Sequence, residues 1–496
     1  MRSVLLSLLL LWLSHAAWAN NIQISNVSLT GQNTTNQTVL IQFDVSWENS
    51  WRLSVGPSNW DAAWLFVKYR SSGGSWNHAS LNYVNGTAAA DGHVQPAGGT
   101  ITTPSDGRGV FLYRSADGSG DVNYTSVQIL WNYGTDGVSD GQIVDVQVFG
   151  VEMVYVPQGS FYLGSAISGT EVGHFQSNFL GSPYQIGSEA SITISSAIGF
   201  LYYNTSAGAT VGDQSGPVPA AYPKGYNAFY CMKYEVSQGQ YVDFFNTLTT
   251  SQRTDRDLSN ANHKNSDGTV ARNTFAYTSG NATTTTPDRP VNYVSSDDYL
   301  AYLDWAGLRP MSEFEFEKAA KGPVTPTIDM YAWGTANIHA PSSPFTLLND
   351  GTSNSLVSDP GVNIGNGAYT TTMSGLGGPL RCGIFAASAT NPTREETGGS
   401  YYGIMELSGN LYERMVSIGT PGGRSFTANH GDGALDSSGA HNVGNWPAVT
   451  GGDIGYRGGS FANSANYLRI ADRYDAANIS NIVNSRIGFR GVRTSP

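Results

Sequence analysis

The residues best suited to recognition chemistry lie near the C-terminus, in the stretch RGGSFANSANYLRIADRYDAANISNIVNSRIGFRGVR from Arg457 to Arg493. Its ends are rich in Arg and Gly, and its middle is rich in Asn, Ser, Ala and Tyr. Tyrosine combines a large apolar ring with a polar tip, and Asn and Ser supply adaptable hydrogen bonds, as in antibody paratopes. We predict a ligand-binding set of Asn463, Ser464, Asn466, Tyr467, Tyr474, Asp475, Asn478, Ser480 and Asn481. The alternative is an ordinary polar loop with asparagines in its turns.

The arginines of this stretch are predicted to hold the loop rather than to meet a ligand. A guanidinium group is planar and carries five donors, so it can bind carboxylates and main-chain carbonyls together. The arginines in question are Arg457, Arg469, Arg473, Arg490 and Arg493.

Other reactive side chains do not form a catalytic constellation. Glu313, Glu315 and Glu317 alternate with aromatic residues, but carboxylates at a helix N-terminus are favoured by the helix dipole without any catalytic role. His430 and Asp432 form a lone His-Asp pair without an assigned nucleophile partner, which is thin evidence for catalysis. No catalytic residue is therefore predicted.

Two cysteines, Cys231 and Cys382, complete the inventory of reactive groups. A zinc site built from them would lack partners at metal-ligand spacing. We expect a structural role for both, with a disulfide and a pair of buried thiols left open.

Composition limits the class of protein. Only 13% of the 496 residues are charged, while Gly is abundant and aromatic residues make up 11%. These values favour β-structure and ordered loops. The net charge of -12 disfavours nucleic acid as a partner, because binding to phosphates needs a basic face.

The N-terminus, MRSVLLSLLLLWLSHAAWAN, has the features of a signal peptide over residues 1–19. It has one Arg, an apolar stretch and a small-x-small cleavage site, and it is too short to span a bilayer comfortably. No later segment is apolar enough to be a membrane span. We expect an exported protein that is secreted, periplasmic or attached to the cell surface.

Two regions follow the signal peptide. Residues 20–150 contain short runs rich in β-branched and aromatic residues, separated by Gly-rich loops, and predict an antiparallel β-sandwich of the immunoglobulin or fibronectin type. Residues 151–496 mix strands and helices. Ser237 with Gln240, and Ser312 with Glu315, have the spacing of a capping box, and Ser296 or Asp297 is predicted to cap a helix that ends at Gly307.

The second region resembles the formylglycine-generating enzyme family, also called sulfatase-modifying factor domains. The matching stretches are VYVPQGSFYLG, KYEVSQGQY, RPVNYVSSDDYLAYLDWAGLRPMSEFEFEKAAKG, YAWG, YYGIMELSGNLYER, RGGSF and IGFRGVR. They occur in family order over residues 151–496. The resemblance implies an α+β fold with long loops, related to C-type lectins.

The resemblance does not extend to the family's oxidase chemistry. The family's oxidases carry two copper-binding cysteines after the Gly-Gly-Ser motif, and here those places hold Asn463 and Leu468. An amide and an alkyl group cannot replace thiolate ligands. The histidine cluster of the related iron-dependent sulfoxide synthases is also missing from the sequence. We expect neither copper nor iron, and no catalysis by the family's known mechanisms.

A structural calcium ion is implied by the same resemblance. The family's ligands correspond to the carboxylates of Glu406 and Glu413 and the main-chain carbonyls of Gly409 and Leu411, a set of oxygen ligands that suits calcium. The enzymes commonly have Trp-Glu-Trp at the end of this stretch, whereas this chain has Tyr412-Glu413-Arg414. An ion pair between Arg414 and Glu413 is the alternative.

The C-terminal stretch also resembles the variable proteins of diversity-generating retroelements. In those proteins, adenine-directed mutagenesis of a C-terminal cassette varies Asn codons on a lectin-like scaffold. Residues 462–486 contain only residue types that adenine changes in an Asn codon can produce. The resemblance implies an exported, non-catalytic protein that binds a protein or a glycan through this loop.

Two other functions stay open. One is an oxidoreductase of the formylglycine-generating enzyme family with altered chemistry. The other is a structural component of an envelope or motility assembly.

Overall fold

The chain is mixed and strand-rich, with few and short helices. The computed structural model describes residues 21–166, 169–177, 182–259, 270–479, 481 and 483–496. The predicted signal peptide, residues 1–19, lies outside the described residues, as does Ser480. In the parts that are described, no helix is long and apolar enough to cross a membrane.

The strands, numbered in chain order, are mostly short after the first third of the chain. They are β1 Gln23–Asn33, β2 Thr38–Arg52, β3 Asp61–Ser71, β4 Asn77–His78, β5 Gly99–Thr102, β6 Val110–Arg114, β7 Gly118–Trp131, β8 Val144–Val156, β9 Phe161–Leu163, β10 Phe175–Gln176, β11 Tyr184–Ile186, β12 Tyr202–Tyr203, β13 Phe229–Met232, β14 Leu347–Leu348, β15 Leu356–Val357, β16 Tyr412–Val416, β17 Ile454–Arg457, β18 Ile487–Gly488 and β19 Val492–Thr494.

The helices are short as well. They are α1 Ala88–Asp91, α2 Gln238–Thr247, α3 Thr250–Arg256, α4 Ser296–Trp305, α5 Glu313–Lys321, α6 Thr370–Met373, α7 Ile384–Ser388, α8 Arg394–Thr397 and α9 Pro421–Arg424, with a 3₁₀ turn at Ala465–Leu468.

One seven-stranded sheet runs through both predicted regions. Its order is β19-β13-β8-β3-β6-β5, with β4 attached to β3. β8 pairs antiparallel with β3 from Asp61↔Val154 to Ser71↔Val144. Position 150, at which the sequence divides into two predicted regions, falls inside β8, and the division itself stays a prediction.

β3 is buried on both faces because successive side chains of a strand point to opposite sides. Ala63, Leu65 and Val67 pack into a core shared with β2 and β7 of a three-stranded sheet of order β1-β2-β7. Ala62, Trp64 and Phe66 pack into the large core that holds α2 and α4. A packed core on each side of β3 therefore joins the N-terminal strands to the rest. The immunoglobulin-like sandwich expected for residues 20–150 stays a prediction.

Local capping signals place the central helices. The boxes at Ser237 with Gln240 and at Ser312 with Glu315 are both confirmed. The N-cap of α4 is Ser295, not the predicted Ser296 or Asp297. Ser295 has Asp298 three residues later, and the Asp298 carboxylate accepts a hydrogen bond from the Ser295 amide at 2.8 Å. Ser295 caps the helix because the Asp298 carboxylate, three residues later, completes the capping box.

Candidate binding surface

The candidate surface is a long loop, residues 458–486, that joins the two outer strands of a small sheet. β16 lies in the middle of this sheet, antiparallel to β17 and parallel to β18. The loop leaves β17 at Arg457 and returns at Ile487 on the other side of β16. Both of its ends are therefore fixed to the same central strand.

The first turn of the loop requires glycine. Gly458 and Gly459 have φ values of 87° and 70°. These values lie in the left-handed region, which residues other than glycine rarely adopt. A Cβ atom at Gly459 would lie 2.6 Å from Leu468 Cδ1. The Gly-Gly pair lets the chain fold back tightly onto the 3₁₀ turn.

Arg457 fixes the start of the loop to helix α5. Its guanidinium donates to Glu313 Oε2 at 3.0 Å and to Glu317 Oε1 at 2.8 Å, and also to the Ile470 carbonyl inside the loop at 2.6 Å. Arg457 is fully buried, so these bonds are shielded from water. One side chain thus joins the helix to two points of the loop.

Arg473 fixes the middle of the loop to the same helix. It holds Glu313 with both arms of the guanidinium, at 2.8 Å and 3.1 Å. Its guanidinium also lies over the rings of Phe175 and Tyr203, 4.2 Å and 4.3 Å from their centroids. A charge-assisted bond and two cation–π contacts therefore hold one residue.

The carboxylates of α5 are structural partners of these arginines. Glu317 also accepts from Lys321 Nζ at 2.6 Å. Burial alone would raise the pKa of Glu317. The positive charges of Lys321 and Arg457 lower it by more than burial raises it, so the pKa lies below its ordinary value. A carboxylate held ionised in this way is a poor general acid.

Glu315 points away from these two carboxylates and holds a different arginine. It binds Arg309 at 2.6 Å and 2.9 Å and closes the capping box of the helix. The sequence spacing predicts this difference. Glu313 and Glu317 are four residues apart and share one face of the helix, and Glu315 lies on another face.

Two other predicted arginines bind outside helix α5. Arg469 lies in the loop and contacts Asp329 at 3.0 Å and Thr170 at 2.9 Å. Arg493, on β19, binds Asp106 with two bonds of 2.6 Å and 2.5 Å. The prediction that the arginines hold the loop in place is therefore confirmed for Arg469, whereas Arg493 fixes β19 to the N-terminal region.

The predicted ligand-binding residues divide by exposure. Ser464 and Asn466 are exposed, and Tyr467 and Tyr474 are half-buried, with ring centroids 5.3 Å apart in an edge-to-face contact. Two tyrosine edges beside two small polar side chains form a surface that is partly apolar and still open to water.

The other predicted residues make bonds within the protein. Asn463 accepts from the Ser460 hydroxyl, and Asn478 donates to Asp475 at 3.1 Å. Asn481 accepts from the Ser296 amide at 2.7 Å and donates to Asp297 at 3.2 Å, so it also holds the start of α4. Their part in ligand binding stays a prediction.

Comparison with known proteins identifies the family of this chain. Residues 145–495 match the family model described as the sulfatase-modifying factor enzyme 1-like domain. The chain belongs to this family. Comparison with curated proteins finds no similar sequence. A solved structure, Treponema denticola variable protein 1, aligns with a TM-score of 0.31 and 14% identity, over 70% of this chain and 96% of that chain.

In this sulfatase-modifying factor domain, Asn463 and Leu468 stand where the family's oxidases have their cysteines. Both residues contact other parts of the domain. Leu468 is fully buried and packs with Tyr331, Trp333 and Tyr369. Asn463 lies at the first turn, where its carbonyl accepts from the Thr370 amide at 2.9 Å. Both positions serve the packing of the loop.

The four predicted calcium ligands fit a cation only in part. Both oxygens of Glu413 accept from Arg490 at 2.6 Å, so Arg490, and not the predicted Arg414, is the partner of this carboxylate. Arg414 instead donates to Ser296 Oγ at 2.6 Å and to the Val294 carbonyl at 2.8 Å. With both Glu413 oxygens engaged, this arrangement does not fit the four-ligand set that the resemblance implies.

Glu406, the other predicted carboxylate ligand, has one engaged oxygen. Its Oε1 accepts from the Gly383 amide at 2.7 Å, while Oε2 is buried without a hydrogen-bond partner among the described residues. Burial raises the pKa of Glu406 to about 7. Within those same residues, no group of three or more His, Cys, Asp or Glu side chains is arranged to hold a metal ion.

Glu235 was not singled out from the sequence, yet it fastens the turn between these residues. Its carboxylate accepts from Asn410 Nδ2 at 2.6 Å and from the Leu411 amide at 2.9 Å. Burial raises the pKa of Glu235, and the nearby carboxylates Glu413 and Glu406 raise it further.

Cys231 and Cys382 are both free and buried. Of the two alternatives, the structure has the buried thiols. Burial raises the pKa of Cys231 to about 12 and also raises that of Cys382. Neither thiol therefore has the character of a reactive nucleophile.

Proposed function

We propose that this chain is an exported, non-catalytic binding protein that recognises a protein or a glycan through residues 462–486. In this proposal the loop lies on a C-type-lectin-related sulfatase-modifying factor domain, with the N-terminal strands as a β-sandwich platform. One observation carries the proposal. Arg457 and Arg473 are buried in bonds to α5, while Ser464, Asn466, Tyr467 and Tyr474 lie at the surface of the loop.

This division of roles favours recognition over catalysis. The surface side chains contribute no titratable pair suited to proton transfer, and Glu313 and Glu317 are engaged by arginines. Rigid loops that present tyrosines and small polar residues lose little conformational entropy on binding. The same division would let surface positions vary without loss of the buried ion pairs.

The first experiment maps binding to the loop. The full mature chain would be screened against a glycan array and a displayed peptide library, alongside the variants Asn466→Ala and Tyr467→Ala. A matched control is Val55→Ala, because Val55 is 81% exposed and lies in the N-terminal region. We expect at least one ligand whose affinity falls tenfold or more in the two loop variants and is unchanged in the control.

Two outcomes would contradict the proposal. One is a ligand set that is identical for all four proteins. The other is copper-dependent oxidation of a cysteine peptide by the purified chain, which would restore the oxidoreductase alternative.

The second experiment examines diversification of the coding DNA. A neighbouring reverse transcriptase gene, with a near-copy of the segment for residues 462–486 that differs only at adenines, would support variation. We expect differences between strains at Asn466 and Asn478, and none that remove Arg457 or Arg473, because each of these changes would remove a buried ion pair with Glu313. An invariant segment would favour the structural-component alternative.

A further inference from the structure

A cleft in the N-terminal region lies apart from the C-terminal loop. It has a volume of about 840 Å³ and lies between residues 83–89 on one side and β5 on the other, with Tyr113 and Pro496 also lining it. Ligand pockets in proteins commonly measure about 300–1,000 Å³. No residue of the segment 457–493 lines this cleft.

One wall of the cleft is held in a fixed shape by a buried carboxylate. Asp91, at the end of α1, accepts hydrogen bonds from the amides of Val84, Asn85 and Gly86 at 2.7, 3.1 and 3.3 Å. Burial raises the pKa of Asp91, but these amide bonds lower it more, so the group stays ionised at neutral pH. The loop that carries Tyr83 and Asn85 is thus preorganised.

The opposite wall is fixed by a neutral histidine. His93 Nδ1 accepts from the Leu130 amide at 2.8 Å, and Nε2 lies 3.1 Å from the Thr103 hydroxyl. Burial lowers the pKa of His93 to about 4. The histidine is therefore uncharged at neutral pH, and it holds Thr103 next to the end of β5.

The side chains of the lining are uncharged and rich in hydrogen-bonding groups. None of them belongs to Asp, Glu, Lys or Arg, so an ionic ligand would find no charged side chain to pair with. Hydroxyl and amide groups come from Asn85, Thr87, Gln95, Thr100 and Ser105. Each of these can donate or accept a hydrogen bond. Such a lining suits a neutral ligand that carries many hydroxyl groups.

Two aromatic rings complete the cleft. Tyr83 is 41% exposed at the rim. The ring of Tyr113 is stacked on Trp60 at 5.4 Å, and its hydroxyl lies 3.0 Å from Thr102 Oγ1. An exposed ring of this kind can pack against the apolar face of a ring-shaped ligand.

An added peptide strand fits the cleft less well, although β5 is an edge strand. The outward amide of Gly99 donates to the Pro96 carbonyl at 3.0 Å, and that of Thr103 to the Gly86 carbonyl at 3.1 Å. The amide of Ile101 between them donates to Gln95 Oε1 at 3.4 Å. The donors that strand addition needs are already engaged.

We propose that this cleft binds a neutral oligosaccharide, with Tyr83 packed against a sugar ring and Asn85 and Thr100 bonded to its hydroxyl groups. The site is separate from the loop of the proposed function, and either can fail alone.

The test uses the full mature chain and isothermal titration with three neutral probes, cellohexaose, maltohexaose and chitohexaose. We expect at least one probe to bind, with affinity reduced tenfold or more in Tyr83→Ala and retained within threefold in Tyr83→Phe. Val55→Ala is the matched control and should bind the probe like the unchanged protein, because Val55 is 81% exposed and does not line the cleft. Tyr467→Ala is measured beside it to report whether the sugar lies on the C-terminal loop instead.

The proposal is overturned if none of the three probes binds, or if Tyr83→Ala binds as tightly as the unchanged protein. It is also overturned if Tyr467→Ala weakens binding as much as Tyr83→Ala, which would place the sugar on the C-terminal loop. Preferential binding of a heparin hexasaccharide or of an extended peptide in this cleft would overturn it as well. Circular dichroism of each variant verifies that it is folded.

Discussion

Arg457 shows how much one buried side chain holds together at the candidate surface. It links two carboxylates of α5 to the carbonyl of Ile470. Removing Arg457 would leave Glu317 Oε1 and the Ile470 carbonyl without their donor, and a buried acceptor without a partner typically costs roughly 1–3 kcal/mol. The frame of the loop is therefore far less tolerant of substitution than its surface.

A first prediction follows for Arg457→Met. Because Glu313 keeps Arg473 and Glu317 keeps Lys321, we expect its free energy of unfolding, from urea denaturation, to fall by roughly 1–3 kcal/mol, the effect of leaving buried acceptors without a donor.

Arg70→Met is the matched control, since Arg70 pairs with Asp145 at the surface and their side chains are 41% and 58% exposed. Its loss should be about 0–1 kcal/mol. Equal losses in the two variants would show that the buried pair has no special role.

A second prediction concerns calcium. Since Arg490 occupies both oxygens of Glu413, millimolar calcium should leave the melting temperature of the unchanged protein the same as in a chelator. Differential scanning fluorimetry measures both. A rise of several degrees with calcium would show that the four-ligand site forms after all.

At the residue scale, the sequence predicts the role of a side chain better than it predicts which side chain it binds. Arg457 and Arg473 hold the loop, as predicted, because each guanidinium can bind several acceptors at once. That they meet Glu313 and Glu317 depends on packing between segments more than a hundred residues apart in the chain. A single sequence carries no information on that pairing.

Helix α4 shows how an element and the loop depend on each other. Asn481 supplies a bond to the first amide of the helix and another to Asp297. An exposed asparagine in a binding loop would have no such bonds.

A third prediction distinguishes the two roles of asparagine. Asn481→Ala should lower the free energy of unfolding by about 1 kcal/mol, the usual effect of losing a side-chain cap. Asn466→Ala, at an exposed position, should stay within about 0.5 kcal/mol of the unchanged protein. Loss of ligand binding in Asn481→Ala with no change in stability would instead place this residue among the ligand contacts.

Elements with local signals are the predictable part of the fold. The capping boxes of α2 and α5 depend on residues three positions apart, and both are confirmed. The pairing of β13 with β19 joins Cys231 to Val492. Such distant pairing is set by the core as a whole, so neither its partner nor its register could be read from one sequence.

At the scale of the whole molecule, the N-terminal strands and the family domain meet through buried polar contacts. Asp304, at the end of α4, accepts from the amides of Asp432 and Asn442 at 2.9 and 3.0 Å. Lys68 of β3 donates to the carbonyl of Gly433 in the same loop at 2.7 Å. Burial raises the pKa of Asp304 to about 7.

A fourth prediction is a pH dependence from this contact. Between about pH 4 and 7 the folded protein keeps a proton on Asp304 that the unfolded chain has lost, so its contribution to stability falls as pH rises, by up to about 1.4 kcal/mol per pH unit. The stability of the unchanged protein relative to Asp304→Asn should therefore be greater at pH 4.5 than at pH 7.5. Thermal melts of both proteins measure this, and a constant difference would contradict it.

The continuous strand β8 has a mechanical consequence. Its hydrogen bonds to β3 lie across the strand direction, over the whole length from Val144↔Ser71 to Val154↔Asp61. A force that slides one strand along the other loads these bonds together in shear, whereas a force across the sheet would open them one at a time. Tension along this strand pair is therefore resisted by the whole ladder at the point where the N-terminal strands join the family domain.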